Sequence, residues 1–185
     1  MTRFEYLSVL VSIVIALGIS EVTIAWARVI QQKPTPKVYG LHGFWSVFSL
    51  LLMIQFWWGF WRYRTVVSWS LGSLVTALTV VITLSLGALM LVPRTKAGAH
   101  LDSQALYFDN APKFFVLGGC FILLVSAMDI MVLGSPALHI ENVFRGGGAV
   151  AAFGMAATSS EKLHYGFAFV GAALLAGFLA TASMY

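Results

Sequence analysis

Two acidic residues stand inside long apolar stretches of the chain, where a carboxylate is costly unless it is paired or hydrated. Glu21 lies seven residues before Arg28, so both side chains share one face of a helix and we expect an ion pair. Asp129 stands near the end of another stretch, and an ion pair is expected there too; proton relay or cation binding is the alternative for both acids. The arginines expected on the membrane face of Asp129 are Arg62, Arg64 and Arg145.

Two histidines and a glutamate have the chemistry to hold a metal. Glu161 and His164 form a Glu-x-x-His pair, which diiron helical bundles use, but such a centre needs a second pair and further glutamates. A diiron enzyme is therefore not expected, and we lean against any enzymatic activity. His42 opens an apolar stretch on the same predicted side as His100 and His164, and His42 with His164 could ligate a haem or bind a quinone. Interfacial hydrogen bonding is the favoured interpretation of these side chains.

Hydroxylated and small residues form two stripes, each on one face of a predicted helix. The first stripe comprises Glu5, Ser8, Ser12, Ala16 and Thr23, and the second comprises Gly72, Thr76, Thr79, Thr83 and Gly87. If the stripes faced each other, they would line a narrow wet path with Asp129 as its charged group. Such residues also let helices pack closely, with each hydroxyl bonded to the carbonyl four residues back, and the sequence favours this packing.

The composition excludes a soluble globular domain. Hydrophobic residues make up 59% of the 185 residues and charged residues only 10%, with a mean hydropathy of +0.88, whereas soluble domains carry about 25% charged residues. Too few polar side chains exist to cover a surface in water, so the chain must lie largely in lipid. The net charge of +4 comes from basic residues in loops and at the ends of apolar stretches, which indicates topology rather than a nucleic-acid partner.

Six apolar stretches predict an all-α integral membrane helical bundle, with residues 1–185 in a single transmembrane domain. The predicted spans are 6–30, 41–61, 67–92, 114–133, 143–158 and 163–184, with a tether or a short interfacial helix over 93–113. The fifth span is the weakest because it contains Arg145 and three consecutive glycines, and five spans remain if it does not cross. Aromatic belts mark the ends of the second span, with Phe44 and Trp45 at one end and Trp57 and Trp61 at the other.

Positive charges give the predicted orientation of these spans. One side holds seven basic residues, namely Arg28, Lys33, Lys37, Arg94, Lys96, Lys113 and Lys162, and the other holds four, namely Arg3, Arg62, Arg64 and Arg145. The side with seven is expected to be cytoplasmic, which places both termini outside.

Small residues recur every four positions in the last two spans. They are Gly148, Ala152 and Ala156 in the fifth span, and Ala168, Ala172, Ala176 and Ala180 in the sixth. Because small residues let helix backbones approach in lipid, we expect these two spans to form a close hairpin.

Several stretches together resemble a family of small, uncharacterised bacterial multi-pass membrane proteins. They are FEYLSV (4–9) leading into LGISE (17–21), His42 with Trp45 and QFWW (55–58), and Tyr107-Phe108 ahead of Phe114-Phe115. The resemblance implies a location in the bacterial inner membrane and supplies no catalytic or binding residue.

Three functions are compatible with these patterns. The first is ion or proton permeation along the first stripe with Asp129, and the second is an accessory subunit that packs by its small-residue faces into a larger membrane complex. The third is a haem or quinone carrier that uses His42 and His164. The cofactor is left open, and the expected partners are the lipid bilayer and other membrane subunits, including further copies of this chain, but not nucleic acid.

Overall fold

The computed structural model describes residues 2–33, 36–92 and 102–182, with side chains up to Gly177. Within these residues the regular structure is entirely helical. Its α-helices are α1 (Arg3–Gln31), α2 (Gly40–Gly59), α3 (Leu71–Met90), α4 (Ser103–Leu133), α5 (Ile140–Ala156) and α6 (Glu161–Ala182), and a 3-10 helix, Phe60–Thr65, continues α2. Of the residues with predicted roles, Arg94, Lys96 and His100 and the side chain of Ala180 lie outside this description.

Four of these helices are long and apolar enough to cross a membrane. They are α1, α2 with its 3-10 extension (Gly40–Thr65), α3 and α4. The protein is therefore a helical membrane protein, as its composition predicted.

Contacts between helix ends indicate that consecutive helices run in opposite directions. At one end of the bundle, Asp129 in the last turns of α4 lies 2.5 Å from Arg145 near the start of α5. At the other end, His42 at the start of α2 contacts the Leu91 carbonyl just after α3 (2.6 Å), and its ring lies 5.3 Å from that of Trp26 near the end of α1. We call these two ends the arginine face and the histidine face.

Side-chain caps fix where the helices begin and end. The Thr2 hydroxyl accepts from the Glu5 amide (3.1 Å), and the Glu5 carboxylate accepts from the Thr2 amide (2.8 Å), which closes a capping box at the start of α1. Asp102 caps α4 through the Ala105 amide (3.0 Å). Gly134 ends α4 with φ of 64°, a left-handed conformation that costs glycine no steric strain. The carboxylate of Glu5 thus caps the N-terminal end of α1.

Helix α4 is longer than the sequence predicted. It begins at Ser103 rather than near Phe114, so the segment expected to be a tether or a separate interfacial helix is the first third of a continuous 31-residue helix. Tyr107 and Ala111 within it are completely buried, at 0% and 1% exposure. Polar residues and Pro112 lower the hydropathy here, but one face of this segment is buried in the bundle, which stabilises it as helix.

The predicted close hairpin of α5 and α6 is wrong. Among the described residues, α5 packs on α4 and α6 packs on α2, while α5 and α6 make few contacts with each other. A Cβ added at Gly119 of α4 would lie 2.7 Å from the ring of Phe153 of α5, and one added at Gly171 of α6 would lie 3.6 Å from Phe48 of α2. Glycines of α4 and α6 thus receive aromatic rings of other helices, and residues of α5 and α6 line a common cavity.

Aromatic residues at the histidine face form a core rather than a complete belt. Trp45, predicted to lie in a belt, is only 3% exposed, and its ring packs 5.2 Å from Phe115 of α4 and 5.7 Å from Phe167 of α6. At the arginine face the expected belt is present, because Trp57 and Trp61 are 51% and 62% exposed.

Candidate functional site

A buried carboxylate at the arginine face joins three segments of the bundle. Asp129 of α4 is 1% exposed, and one of its oxygens accepts the hydroxyl of Tyr63 from the 3-10 helix. Its other oxygen lies 2.5 Å from Nη1 of Arg145 and 3.3 Å from Nη1 of Arg62. The ion pairing expected between Asp129 and these two arginines is present. Arg64 is not part of it, since its guanidinium lies 5.6 Å from the Trp61 ring.

Two further α5 residues hold Arg145 in place. Its Nη2 lies 3.4 Å from Glu141, one turn earlier, and its Nη1 donates to the amide oxygen of Asn142 (3.2 Å). The amide nitrogen of Asn142 in turn donates to the Pro136 carbonyl (3.1 Å). Glu141 also lies 3.8 Å from Arg62. Two guanidinium groups thus face two carboxylates, and we call Arg62, Tyr63, Asp129, Glu141 and Arg145 the Asp129 cluster.

Two adjoining cavities lead from this cluster into the bundle. The outer cavity, about 230 Å³, is lined by Arg62, Tyr63 and Arg145 together with apolar side chains of α2 and α4. The inner cavity, about 320 Å³, lies between α2, α3 and α4 on one side and α5 and α6 on the other. Leu52, Gln55, Phe121 and Ile122 line both cavities, which makes the two spaces neighbours with a common wall.

The inner cavity is mostly apolar, and its hydroxyl and amide side chains are those of Ser49, Gln55 and Thr83. Aromatic rings and glycines make up much of its wall, among them Trp45, Phe48, Phe115, Gly118 and Gly171. Gln55 and Thr83 also line it, and neither side chain has a hydrogen-bond partner within the described ranges. Thr83 as a residue is only 9% exposed, and it lines the cavity with a hydroxyl that the protein leaves unpaired in the described ranges.

The two predicted stripes do not face each other. In the first, the Ser8 hydroxyl donates to the Glu5 carbonyl (2.8 Å), while Ser12 donates to the Ser8 carbonyl (2.7 Å) and accepts from Trp57 of α2 (2.9 Å). Thr23 of the same stripe is exposed. The first stripe therefore borders α2 and the outer surface of α1.

The second stripe borders α4. Thr76 and Thr79 donate to carbonyls four residues back, at 2.9 and 2.8 Å, and Thr76 also contacts the sulfur of Met131 in α4 (3.9 Å). The two stripes do not line a common wet path. Most of their hydroxyls instead donate hydrogen bonds to backbone carbonyls of their own helix. Thr83 and Gly87 are the stripe residues that line the inner cavity.

The ion pair predicted between Glu21 and Arg28 does not form. Both side chains are exposed, and no salt bridge joins them in the described part of the chain. Seven residues span two helical turns, about 10 Å along the axis, whereas pairs three or four residues apart lie within about 6 Å.

At the histidine face, His42 is fully buried between two neutral partners. Its Nε2 lies 2.6 Å from the Leu91 carbonyl, which can only accept, so Nε2 carries the proton and Nδ1 accepts from the Ser103 hydroxyl (2.7 Å). The same hydroxyl accepts from the Tyr39 amide (3.2 Å). Every polar atom of the imidazole is thereby satisfied in its neutral form.

His164 repeats this arrangement. Its Nε2 donates to the Thr158 carbonyl (3.0 Å), and its Nδ1 accepts from the hydroxyl of Tyr107 (2.6 Å). Glu161 accepts from the hydroxyl of Tyr39 (2.8 Å). Burial is the main cause that raises the pKa of Tyr39 above its ordinary value, and this hydrogen bond is the second cause. No histidine nitrogen here offers a free lone pair, and in the described ranges no three metal-ligating side chains come together. The hydrogen-bonding interpretation describes these residues.

Sequence reasoning did not find several residues of the two cavities and of the Asp129 cluster. Glu141 stands four residues before Arg145, a spacing typical of a helical ion pair, and this signal was present in the sequence. Gln55 was visible as an amide inside an apolar span. Tyr63 gave no signal, because its contact with Asp129 depends on how the 3-10 helix turns at the end of α2.

No known protein family matches the chain, and no curated protein or solved structure is similar to it.

Proposed function

We propose that this protein binds a lipid-like amphiphile within the membrane, with the polar end of the ligand in the outer cavity and its apolar part in the inner cavity. The observation that carries this proposal is the pairing of the two cavities. One is lined by Arg62 and Arg145, the other is lined mainly by apolar groups, and they share a wall.

The size and lining of the inner cavity support an apolar ligand group. Ligand pockets in proteins measure about 300 to 1,000 Å³ and are mostly apolar with a few polar groups. The inner cavity, about 320 Å³, lies at the lower end of this range, which suits a hydrocarbon chain or a small ring. Because cavities lined by apolar side chains stay dry, burial of an apolar group there costs no ordered water.

The depth of each cavity in the membrane also suits an amphiphile. Trp61 of the 3-10 helix is exposed near the arginine face, and tryptophans in such positions lie at the headgroup level. Arg62 belongs to the same level, while Gln55 lies seven residues earlier, about 10 Å deeper along the helix. The outer cavity thus lies near the headgroups and the inner cavity among the hydrocarbon chains.

We further propose that all six helices cross a bacterial inner membrane, with the arginine face outside. The 17 residues of α5 span about 25 Å and the 22 residues of α6 about 33 Å, both close to the hydrocarbon thickness. The excess of basic residues on the histidine side and the family resemblance support this orientation and location. Permeation, the accessory role, association into oligomers and the haem or quinone carrier stay predictions from the sequence.

A cavity-filling variant tests the proposed function. Gly118 lines the inner cavity, and a Cβ added there meets no atom within 4 Å, so Gly118→Leu should fill the cavity without distorting α4. Gly166→Leu is the matched control, since Gly166 also has open space around it but lies on the exposed side of α6. We expect native mass spectrometry of the purified protein to show retained lipid on the natural protein and on the control, and its loss from Gly118→Leu.

Equal lipid retention by both variants would overturn the proposal, provided that circular dichroism shows the same helix content. A retained species with a quinone absorption band in place of a lipid would also contradict it, and would favour the carrier predicted from the sequence.

A further inference from the structure

We infer that the ligand of the two cavities carries a phosphate headgroup, as an anionic glycerophospholipid does, and that Arg62 and Arg145 bind this phosphate. The inference rests on the proposed function and names the chemical class of its ligand. It depends on which groups of the Asp129 cluster face the outer cavity.

The wall of the outer cavity presents both cations of the cluster and neither of its carboxylates. Arg62 and Arg145 line this cavity, whereas Asp129 and Glu141 do not. Asp129 is held behind the arginines with 2% of its side chain exposed. A ligand in the cavity therefore meets two guanidinium groups at its polar end, which are complementary to a phosphate in charge and in geometry.

The two arginines have different freedom to bind. Arg145 is fixed by Asp129, Glu141 and Asn142, and its side chain is 24% exposed. Arg62 contacts both carboxylates through Nη1, and its guanidinium lies 5.9 Å from the centre of the Tyr63 ring. Its Nε and Nη2 have no hydrogen-bond partner among the described residues. Its side chain is 43% exposed. Arg145 is thus a preorganised donor, and Arg62 retains a free edge for bidentate contact with an anion.

Glu141 is the carboxylate that a phosphate would displace. Its contacts with Arg62 and Arg145 are the longest of the cluster, at 3.8 and 3.4 Å, and its side chain is 52% exposed. It can therefore turn to water when an anion binds, while the shorter pair of Asp129 and Arg145 stays intact. Removal of this competing charge should strengthen phosphate binding.

Unpaired polar groups deeper in the cavities fit the linkage between a phosphate and an acyl chain. The Gln55 amide lies about 10 Å below Arg62 and lines both cavities without a hydrogen-bond partner in the described part of the chain. An ester carbonyl at that depth would accept from the Gln55 amide. The Thr83 hydroxyl is a second donor facing the inner cavity.

Lipid exchange onto the full-length protein tests the inference. The probes are phosphatidylglycerol, diacylglycerol, which has no phosphate, and inorganic phosphate, and native mass spectrometry measures the apparent Kd for each. We expect the natural protein to prefer phosphatidylglycerol. Arg62→Gln should weaken phosphatidylglycerol binding about tenfold, the size of one charge-assisted hydrogen bond, and leave diacylglycerol binding unchanged.

A matched control separates the headgroup site from the general charge of this face. Arg64→Gln changes the net charge equally two residues away, but Arg64 stacks on Trp61 and lines neither cavity. We expect it to keep the preference for phosphatidylglycerol, and Glu141→Gln to increase that preference. Equal losses in Arg62→Gln and Arg64→Gln would overturn the inference in favour of surface electrostatics.

Two further outcomes would overturn it in distinguishable ways. If the natural protein binds both lipids equally and Gly118→Leu binds neither, the headgroup inference fails while the proposed lipid binding stands. If inorganic phosphate binds as tightly as phosphatidylglycerol, the site serves free phosphate rather than a lipid. Absence of any lipid from the natural protein would instead remove the proposed function itself.

Discussion

The two faces of the bundle bury polar groups in different ways. At the histidine face, His42 and His164 each donate to a backbone carbonyl and accept from a hydroxyl, so every contact joins neutral groups. At the arginine face, Asp129 is buried as a charge and is compensated by Arg62 and Arg145. The first network is complete within the protein, whereas the second leaves part of a guanidinium facing a cavity.

This difference indicates which face is available for a ligand. A fully satisfied network gains nothing from a further partner, because any new contact must break an existing hydrogen bond. A buried carboxylate shared between two cations leaves the more exposed cation able to accept a second anion. The outer cavity accordingly adjoins the arginine face, whereas the rings of Tyr107, Phe108 and Phe115 pack around His164 at the histidine face.

Removal of Asp129 should have the largest effect on stability. Asp129→Ala leaves Arg145 and the Tyr63 hydroxyl without their acceptor, and loss of one partner of a buried ion pair costs about 3 to 5 kcal/mol. The contribution of Arg62 is smaller, because its side chain is 43% exposed and screened by water. The free energy of unfolding in a detergent titration measures the loss.

Asp129→Asn is the control for this prediction. It keeps an oxygen that can accept from Tyr63, so it should lose less stability than the alanine variant. If Asp129→Ala were no more destabilising than removal of a buried histidine, the charged face would not differ energetically from the neutral one.

Loss of His42 should have an intermediate effect. His42→Phe keeps an aromatic ring beside Trp26 but leaves the Leu91 carbonyl without its donor and the Ser103 hydroxyl without its acceptor, which costs about 1 to 3 kcal/mol. The same detergent titration applies. The double variant with Ser103→Ala should lose less stability than the sum of the two single losses, because both changes break the same hydrogen bond. Simple additivity would contradict the neutral network.

The lengths of the apolar stretches and the alternating direction of successive spans predicted the helices and the charged residues around Asp129. Apolar length located each helix, and because successive spans reverse direction, Asp129 near the end of the fourth had to lie with Arg62 and Arg145. The extension of α4 was missed, since Pro112 and nearby polar residues lower the hydropathy of a segment that tertiary packing buries.

The cavities could not be predicted from the sequence, because they arise where several helices fail to meet. Gly118 and Gly171 both stand inside apolar spans, and the sequence does not distinguish a glycine that receives a ring from one beside open space. Trp45 likewise stands at a span end, where a lipid-facing and a buried tryptophan look the same. Only the positions of α4 and α6 decide between these alternatives.

The smallest predicted effect concerns pH at the histidine face. Burial and the hydrogen bond to Glu161 raise the pKa of Tyr39 above its ordinary value of 10.0. For a group whose pKa is higher in the folded protein, the stabilising contribution is complete below the unfolded pKa and is lost as the pH rises beyond it. Stability should therefore decline above pH 10.0, as an ionised Tyr39 comes to face the Glu161 carboxylate.

Tyr39→Phe isolates this contribution. The variant should lose a little stability near neutral pH and then show a flatter decline than the natural protein above pH 10.0, because it has no proton to release at this site. Tyr6→Phe is the control, since Tyr6 is 58% exposed on α1 near the opposite face. Unfolding midpoints measured across the alkaline range test this prediction. Parallel curves for Tyr39→Phe and the natural protein would mean that the histidine face tolerates a new charge. The contrast between a neutral and a charged end of the bundle would then lose its basis.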